Sequence, residues 1–311
     1  MRDLINFQIQ TATGRLTLPV TILVCLSLWA FTFGQWTDLF SLGTVACIGY
    51  LMIEANTTFT LIRTRTSLPV SIYSMLATAL FFLHPWEWDT CVPLTFILAV
   101  FLFFRSYESP NPVVSIYNTY LTIGTCSLVF PPIVYYVPLF FLGMIPFRSL
   151  NGKSFCALLL GLATPYWFLL GYACWTDNIQ CFLHPLKEMV TFVPISYQSI
   201  PLHEIASWIV VGLLLTISSI HYFHRPYADK TRTRIFHSFL IYAGWWTTLL
   251  SVLMPAQLHA LLPIQGICAA FLCGHLFTLT RNLFSGIFFI VTFAALISLT
   301  VYNLWMQFFN S

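Results

Sequence analysis

Charge is what this chain has least of. Thirteen Lys and Arg and ten Asp and Glu make up 7% of 311 residues, against 58% hydrophobic residues. A chain so composed cannot cover itself with polar surface in water, and it reads as an all-α polytopic membrane protein whose first partner is the lipid bilayer. The formal charge of +3 comes from dispersed residues, not from a patch, which speaks against a nucleic-acid partner. Catalytic signatures are absent too. There is no C-x-x-C, G-x-S-x-G, H-E-x-x-H, Walker loop or G-x-G-x-x-G, so serine hydrolase, zinc protease and ATPase readings lose their ordinary support. No internal repeat is visible, which argues against a simple inverted-repeat transporter. The nine cysteines are scattered, mostly inside apolar runs, where they act as small apolar residues. Cys174 and Cys181 fall on one side and would pair in an oxidising compartment.

The few charges are ordered. Eleven apolar runs, at 16–33, 39–55, 68–83, 91–104, 113–130, 133–147, 155–175, 205–223, 235–254, 258–279 and 285–308, approach the length that a hydrocarbon core of about 30 Å requires. Proline sets two of the divisions, at Phe130-Pro131-Pro132 and at Met254-Pro255, because it removes a helical donor and disfavours helix in the residue before it. Every Lys and Arg except Lys187 then falls in alternate gaps. By the positive-inside rule the N-terminus is cytoplasmic and the C-terminus outside. Residues 1–15 are expected to form a polar cytoplasmic segment leading into an uncleaved signal-anchor, and 16–308 a single transmembrane domain.

The predicted outer face is acidic. It carries Asp38, Glu87, Asp89, Asp177, Glu188 and Glu204, with Lys187 as its one cation. His84-Pro85-Trp86-Glu87-Trp88-Asp89 is the densest polar cluster there. Its carboxylates and imidazole can take a proton from a hydroxyl or hold a divalent cation as cofactor; the alternative is an interfacial turn with belt tryptophans and hydrated charges. Asp38, in the first outer turn, is either a base or a helix cap. Asp38, Glu87, Asp89, His84 and His203 are the catalytic candidates. Trp36, Trp86, Trp88, Trp175, His184, Lys187 and Glu204 are the substrate-binding candidates, since indole faces stack on sugar rings and prenyl chains and most Trp residues lie at outer span ends. The long outer gap, 176–204, spaces Ile179, Phe182, Leu183, Leu186, Met189, Val190 and Val193 on one helical face. An interfacial helix is expected from near His184, with Pro185 in its first turn and Pro194 ending it.

On the predicted inner side, Glu54 is expected to pair with Arg63 or Arg65. The basic stretch with Arg225, Lys230, Arg232 and Arg234 is a topology anchor or an anionic-lipid contact. His221, His224 and His237 near it read as having no acidic or cysteine companion at a ligand spacing, so no metal site is expected.

Many spans, a cytoplasmic N-terminus, an acid in the first outer loop at Asp38 and an interfacial helix in a later one together resemble the multispan membrane glycosyltransferases that use polyprenyl-phosphate sugars. The first outer loop is far shorter here than in that class. The turn from Glu54 to Pro69 and the Pro-punctuated spans also look like an uncharacterised family of bacterial multispan proteins. These resemblances imply residence in the bacterial inner membrane, transfer of a glycosyl or related group from a lipid-linked donor at the outer face, and a polyprenyl-linked sugar or glycan as ligand. The alternatives are a non-catalytic subunit or scaffold of a cell-envelope complex, with a membrane-protein partner, or a lipid or small-solute transporter.

Overall fold

Residues 258–279 show no division into an apolar and a polar face, and His259, Gln265 and His275 among them need polar partners, so a helix built from them belongs inside. That is where it sits in the structure, a computed structural model describing residues 2–191, 197, 200–224 and 229–309, with side chains from residue 6 to residue 306. Among the described residues all regular structure is helical.

Two units are present, Met1–Thr90 with Ser196–Ser311, and Cys91–Ile195. The first contains α1 (Arg2–Thr13), α2 (Thr17–Thr32), α3 (Asp38–Phe59), α4 (Leu68–Ala79), α10 (Leu202–His224), α11 (Thr231–Leu253), α12 (Leu258–Leu279) and α13 (Leu283–Phe309). The second contains α5 (Cys91–Phe104), α6 (Val113–Ser127), α7 (Val137–Gly143), α8 (Gly152–Trp175) and α9 (Gln180–Val190).

In the first unit α12 is the axis: 94% of its apolar window is buried, against 39% for α3, α10 and α13. It packs on α4, α10 and α11. Glycine permits the closest approach, since a Cβ on Gly274 would stand 2.5 Å from the Pro69 ring of α4. The helix ends are tied by amides. Fully buried Gln8 on α1 donates to the carbonyls of Phe277 (2.6 Å) and Thr280 (3.0 Å), which α12 leaves unpaired at its C-terminus. Asn303 of α13 donates to the Ala79 carbonyl of α4 (2.8 Å) and to Ser207 of α10 (3.1 Å). The first fifteen residues therefore hold a packed helix where only a polar segment was expected, and α1 meets α2 at an 80° bend.

In the second unit α6 and α8 pack through Gly161, whose absent Cβ leaves room for Tyr120, and through Gly124 against Leu162 and Pro165. The amphipathic α9 lies on α8 and on the 3-10 turn Pro131–Tyr136, where Tyr135 donates to the Met189 carbonyl at 2.7 Å. It begins at Gln180, earlier than expected, with Pro185 in its interior. Pro185 lacks the N–H that would reach the carbonyl of Cys181, an exposed residue. Val193, Pro194 and Arg225 lie outside the described residues.

Each expected apolar run coincides with helix, and both proline breaks occur where expected, at the 3-10 turns Pro131–Tyr136 and Pro255–Gln257. Six helices, α3, α8, α10, α11, the segment ending in α12, and α13, have the length and apolarity to cross a membrane; the bent α1–α2 pair is a seventh candidate. The other four runs form helices or broken helices of at most 15 residues.

Candidate functional site

Two polar clusters mark opposite ends of the first unit. His259 stands at the start of α12 and His275 near its finish, about 24 Å apart along the axis at 1.5 Å per residue.

The carboxylate end is organised by the turn 81–90 that follows α4. On one side of this turn His84 faces inward. It stacks on Trp29 of α2 with ring centroids 3.7 Å apart, meets the edge of Phe81, and brings Nδ1 to 2.7 Å from Thr32 Oγ1. Burial pushes its imidazole down to about 4, against the opposing pull of the Ala77 and Thr78 backbone and the Asp38 charge, so the ring is neutral at pH 7. Asp38 is buried, and its Oδ2 accepts from the amides of Gly34 (3.1 Å) and Gln35 (2.9 Å), closing its own turn.

On the other side Phe82 lies against the rings of His203 and His259, and His259 Nε2 donates to Glu204 Oε1 at 3.1 Å. Asp89 is half-buried. Burial, and then the neighbouring charge of Glu87, raise its proton affinity, with His259 opposing. Trp86 tilts against Phe40 and Trp88. The 81–90 turn thus gathers Asp38 and His84 on one side, and Glu87, Asp89, His203 and Glu204 on the other, together with His259, which was not among the expected site residues. Trp36 and Trp88 are largely exposed. Trp175, His184 and Lys187 belong to the second unit, where His184 lies 3.4 Å from Glu188 on the exposed face of α9. Cys174 and Cys181 are free thiols. Among the described residues no three His, Cys, Asp or Glu side chains are placed to hold a metal ion.

The arginine end is the tighter construction. Asp229, just before α11, has a side chain only 2% exposed; Arg63 Nη2 lies 2.9 Å from Oδ1, and His275 Nε2 donates to Oδ2 at 2.8 Å. The His237 ring lies 4.5 Å from that of His275 and stacks on Tyr222, while its Nδ1 donates to the Thr233 carbonyl at 3.0 Å. Burial alone would raise the Asp229 carboxyl. The His275 hydrogen bond and the charges of His275, Arg63 and His237 outweigh it and hold the group below the ordinary carboxylate range.

Of the histidines near the basic loop, His237 lies beside the Asp229–His275 pair, and Arg63 pairs with Asp229 instead of Glu54, whose carboxylate accepts from Thr58 at 3.0 Å. The signal was present in the chain: Asp229 is the single acid among the cations of 225–234, and His275 an imidazole deep in an apolar run.

Fold and clusters together define an all-helical protein with six helices long and apolar enough to cross a membrane among the described residues. Comparison with known proteins gives no match, whether to family models, curated proteins or solved structures.

Proposed function

We propose that this chain is an enzyme of the bacterial inner membrane that transfers a glycosyl or related group from a lipid-linked donor, working at the carboxylate end. The loop-charge pattern puts that end outside. The observation that carries the reading is the hydrogen-bonded Glu204–His259 pair beside Asp89, a carboxylate whose environment raises its proton affinity. A carboxylate whose surroundings raise its proton affinity is better able to take a proton from a hydroxyl than an ordinary one.

In this reading the acceptor hydroxyl oxygen attacks the anomeric carbon, its proton passes to Asp89, and the bond to the phosphate oxygen breaks with its electron pair leaving on the phosphate. In the first unit no Lys or Arg accompanies this cluster among the described residues, so the imidazoles of His203 and His259 are the donors offered to the departing oxygen. Asp38, engaged by two amides, shapes the turn.

The test is substitution. Asp89→Asn and Glu204→Gln should abolish a lipid-linked glycan product in cells while membrane levels of the protein stay normal. Normal product in both variants would sink the reading.

A further inference from the structure

Polar groups inside a membrane bundle are costly and mark routes for ions or protons. The first unit carries such groups from end to end along α10. Glu204, Ser207, Ser218 and Tyr222 recur at helical spacing on its buried face, and each meets a polar side chain of a neighbouring helix. Glu204 accepts from His259 of α12, Ser207 accepts from Asn303 of α13 at 3.1 Å, Ser218 lies 3.0 Å from Cys273 of α12, and Tyr222 stacks on His237 of α11. Gly212 occupies the middle interval. A Cβ there would stand 3.7 Å from the side-chain amide of Gln265 on α12, which donates to Thr248 of α11 at 2.8 Å. Successive positions 204, 207, 212, 218 and 222 are thus never more than about 9 Å apart along the axis, a span that roughly two or three hydrogen-bonded waters cover.

Four of the described polar atoms along this file lack a hydrogen-bond partner: Asn303 Oδ1, Gln265 Oε1, Tyr222 Oη and His237 Nε2, all on buried residues. Left dry, each costs about 1–3 kcal/mol, and a shared water removes that cost. His237 adds chemistry. Its Nδ1 donates to the Thr233 carbonyl, so Nε2 keeps a bare lone pair that can take up a proton.

Packing decides what travels. Gln265, Ser207 and His237 are fully buried, and among the described residues no three His, Cys, Asp or Glu side chains are placed to hold a metal ion, so a hydrated cation finds neither width nor ligands here. A proton needs only a file of hydrogen bonds, in which each water or imidazole accepts a proton on one side and releases one on the other.

We infer that the buried face of α10 lines a proton pathway between the Glu204–His259 pair and the His237–Tyr222 pair. Gln265, Ser218 and Asn303 hold waters in line, and the imidazoles carry the charge at the two ends. Asp229 stays ionised throughout and offsets the positive charge that forms on His237. Leu214 and Leu215, buried on the same face between Gly212 and Ser218, make this the driest interval and the slowest step. The pathway goes beyond the transfer reading and does not rest on it.

The test uses the full-length protein in liposomes loaded with K⁺ and a pH-sensitive dye, with valinomycin setting an inside-negative potential. Vesicles holding the parent protein should acidify several times faster than empty ones. Gln265→Leu and, independently, His237→Phe should each cut the protein's share of that flux about tenfold. Leu214→Ser should raise it, and Ser127→Ala, in the second unit, should leave it unchanged, with every variant monodisperse. Acidification no faster than in empty vesicles, parent flux in both Gln265→Leu and His237→Phe, or equal entry of Na⁺ would overturn the proposal.

Discussion

The two ends of α12 use the same pair of chemical groups and arrive at opposite properties. At the arginine end an imidazole meets a carboxylate that is 2% exposed and also held by a guanidinium. At the carboxylate end the imidazole is 38% and its carboxylate 10% exposed, with further carboxylates nearby in place of a cation. A buried, charge-balanced triad is expensive to disturb and resists titration, which suits it to holding elements together. An open, acid-rich pair remains able to exchange protons. Burial and counter-charge, more than residue identity, separate a latch from a working site.

The sharpest way to break this comparison is Asp229→Asn. It leaves buried His275 and half-exposed Arg63 facing an uncharged amide and should cost about 3 kcal/mol, the lower end for breaking a buried pair because Arg63 keeps access to water, read as a fall in the thermal midpoint in detergent. Asp229 should also impose an acid limit. Its folded-state affinity for a proton is depressed, so its stabilisation is complete above the unfolded value near 3.9 and disappears as pH falls through the lower folded value.

Next in size is the response of His84 to pH. The unfolded imidazole takes a proton below about 6.5, whereas the folded one waits until about 4. Stability should be flat above pH 6.5 and fall by about 3 kcal/mol as pH drops toward 4, with that slope missing in His84→Gln. An unchanged slope in the variant would show that His84 is not the titrating group.

Gly274→Val should cost about 1–3 kcal/mol by driving a side chain into Pro69, measured as reduced thermal stability with the fold retained. Smallest of all, Glu204→Gln should cost about 1 kcal/mol, because Glu204 is buried but its imidazole partner is 38% exposed and can turn to solvent. A stability loss equal to that of Asp229→Asn would erase the distinction between the two ends.

Local rules carried much of the fold. Proline's missing donor divides the helices at Pro131 and Pro255. The tightest cluster follows from no local rule. Asp229 meets its hydrogen-bond partner 46 residues away, and its guanidinium partner, Arg63, comes from the opposite side of the whole second unit in sequence. No periodicity encodes such distances. The N-terminal helix was obscured because Gln8 is polar by composition yet fully buried, satisfied by carbonyls that exist only once α12 has ended. At the carboxylate end the acids were legible from topology. The role of His259 was not, because its pairing with Glu204 depends on how α10 and α12 pack.

The Gln8 clasp also imposes an order in time. Its first carbonyl partner lies 269 residues downstream. At a synthesis rate of roughly 5–20 residues per second, α1 waits on the order of 15–50 s after leaving the ribosome before that carbonyl has been made. During that interval its amide side chain must find water or lipid headgroups. When α12 and Ser285 arrive, α1 is fastened to residues made 269 and 277 positions after Gln8, and the clasp closes only then.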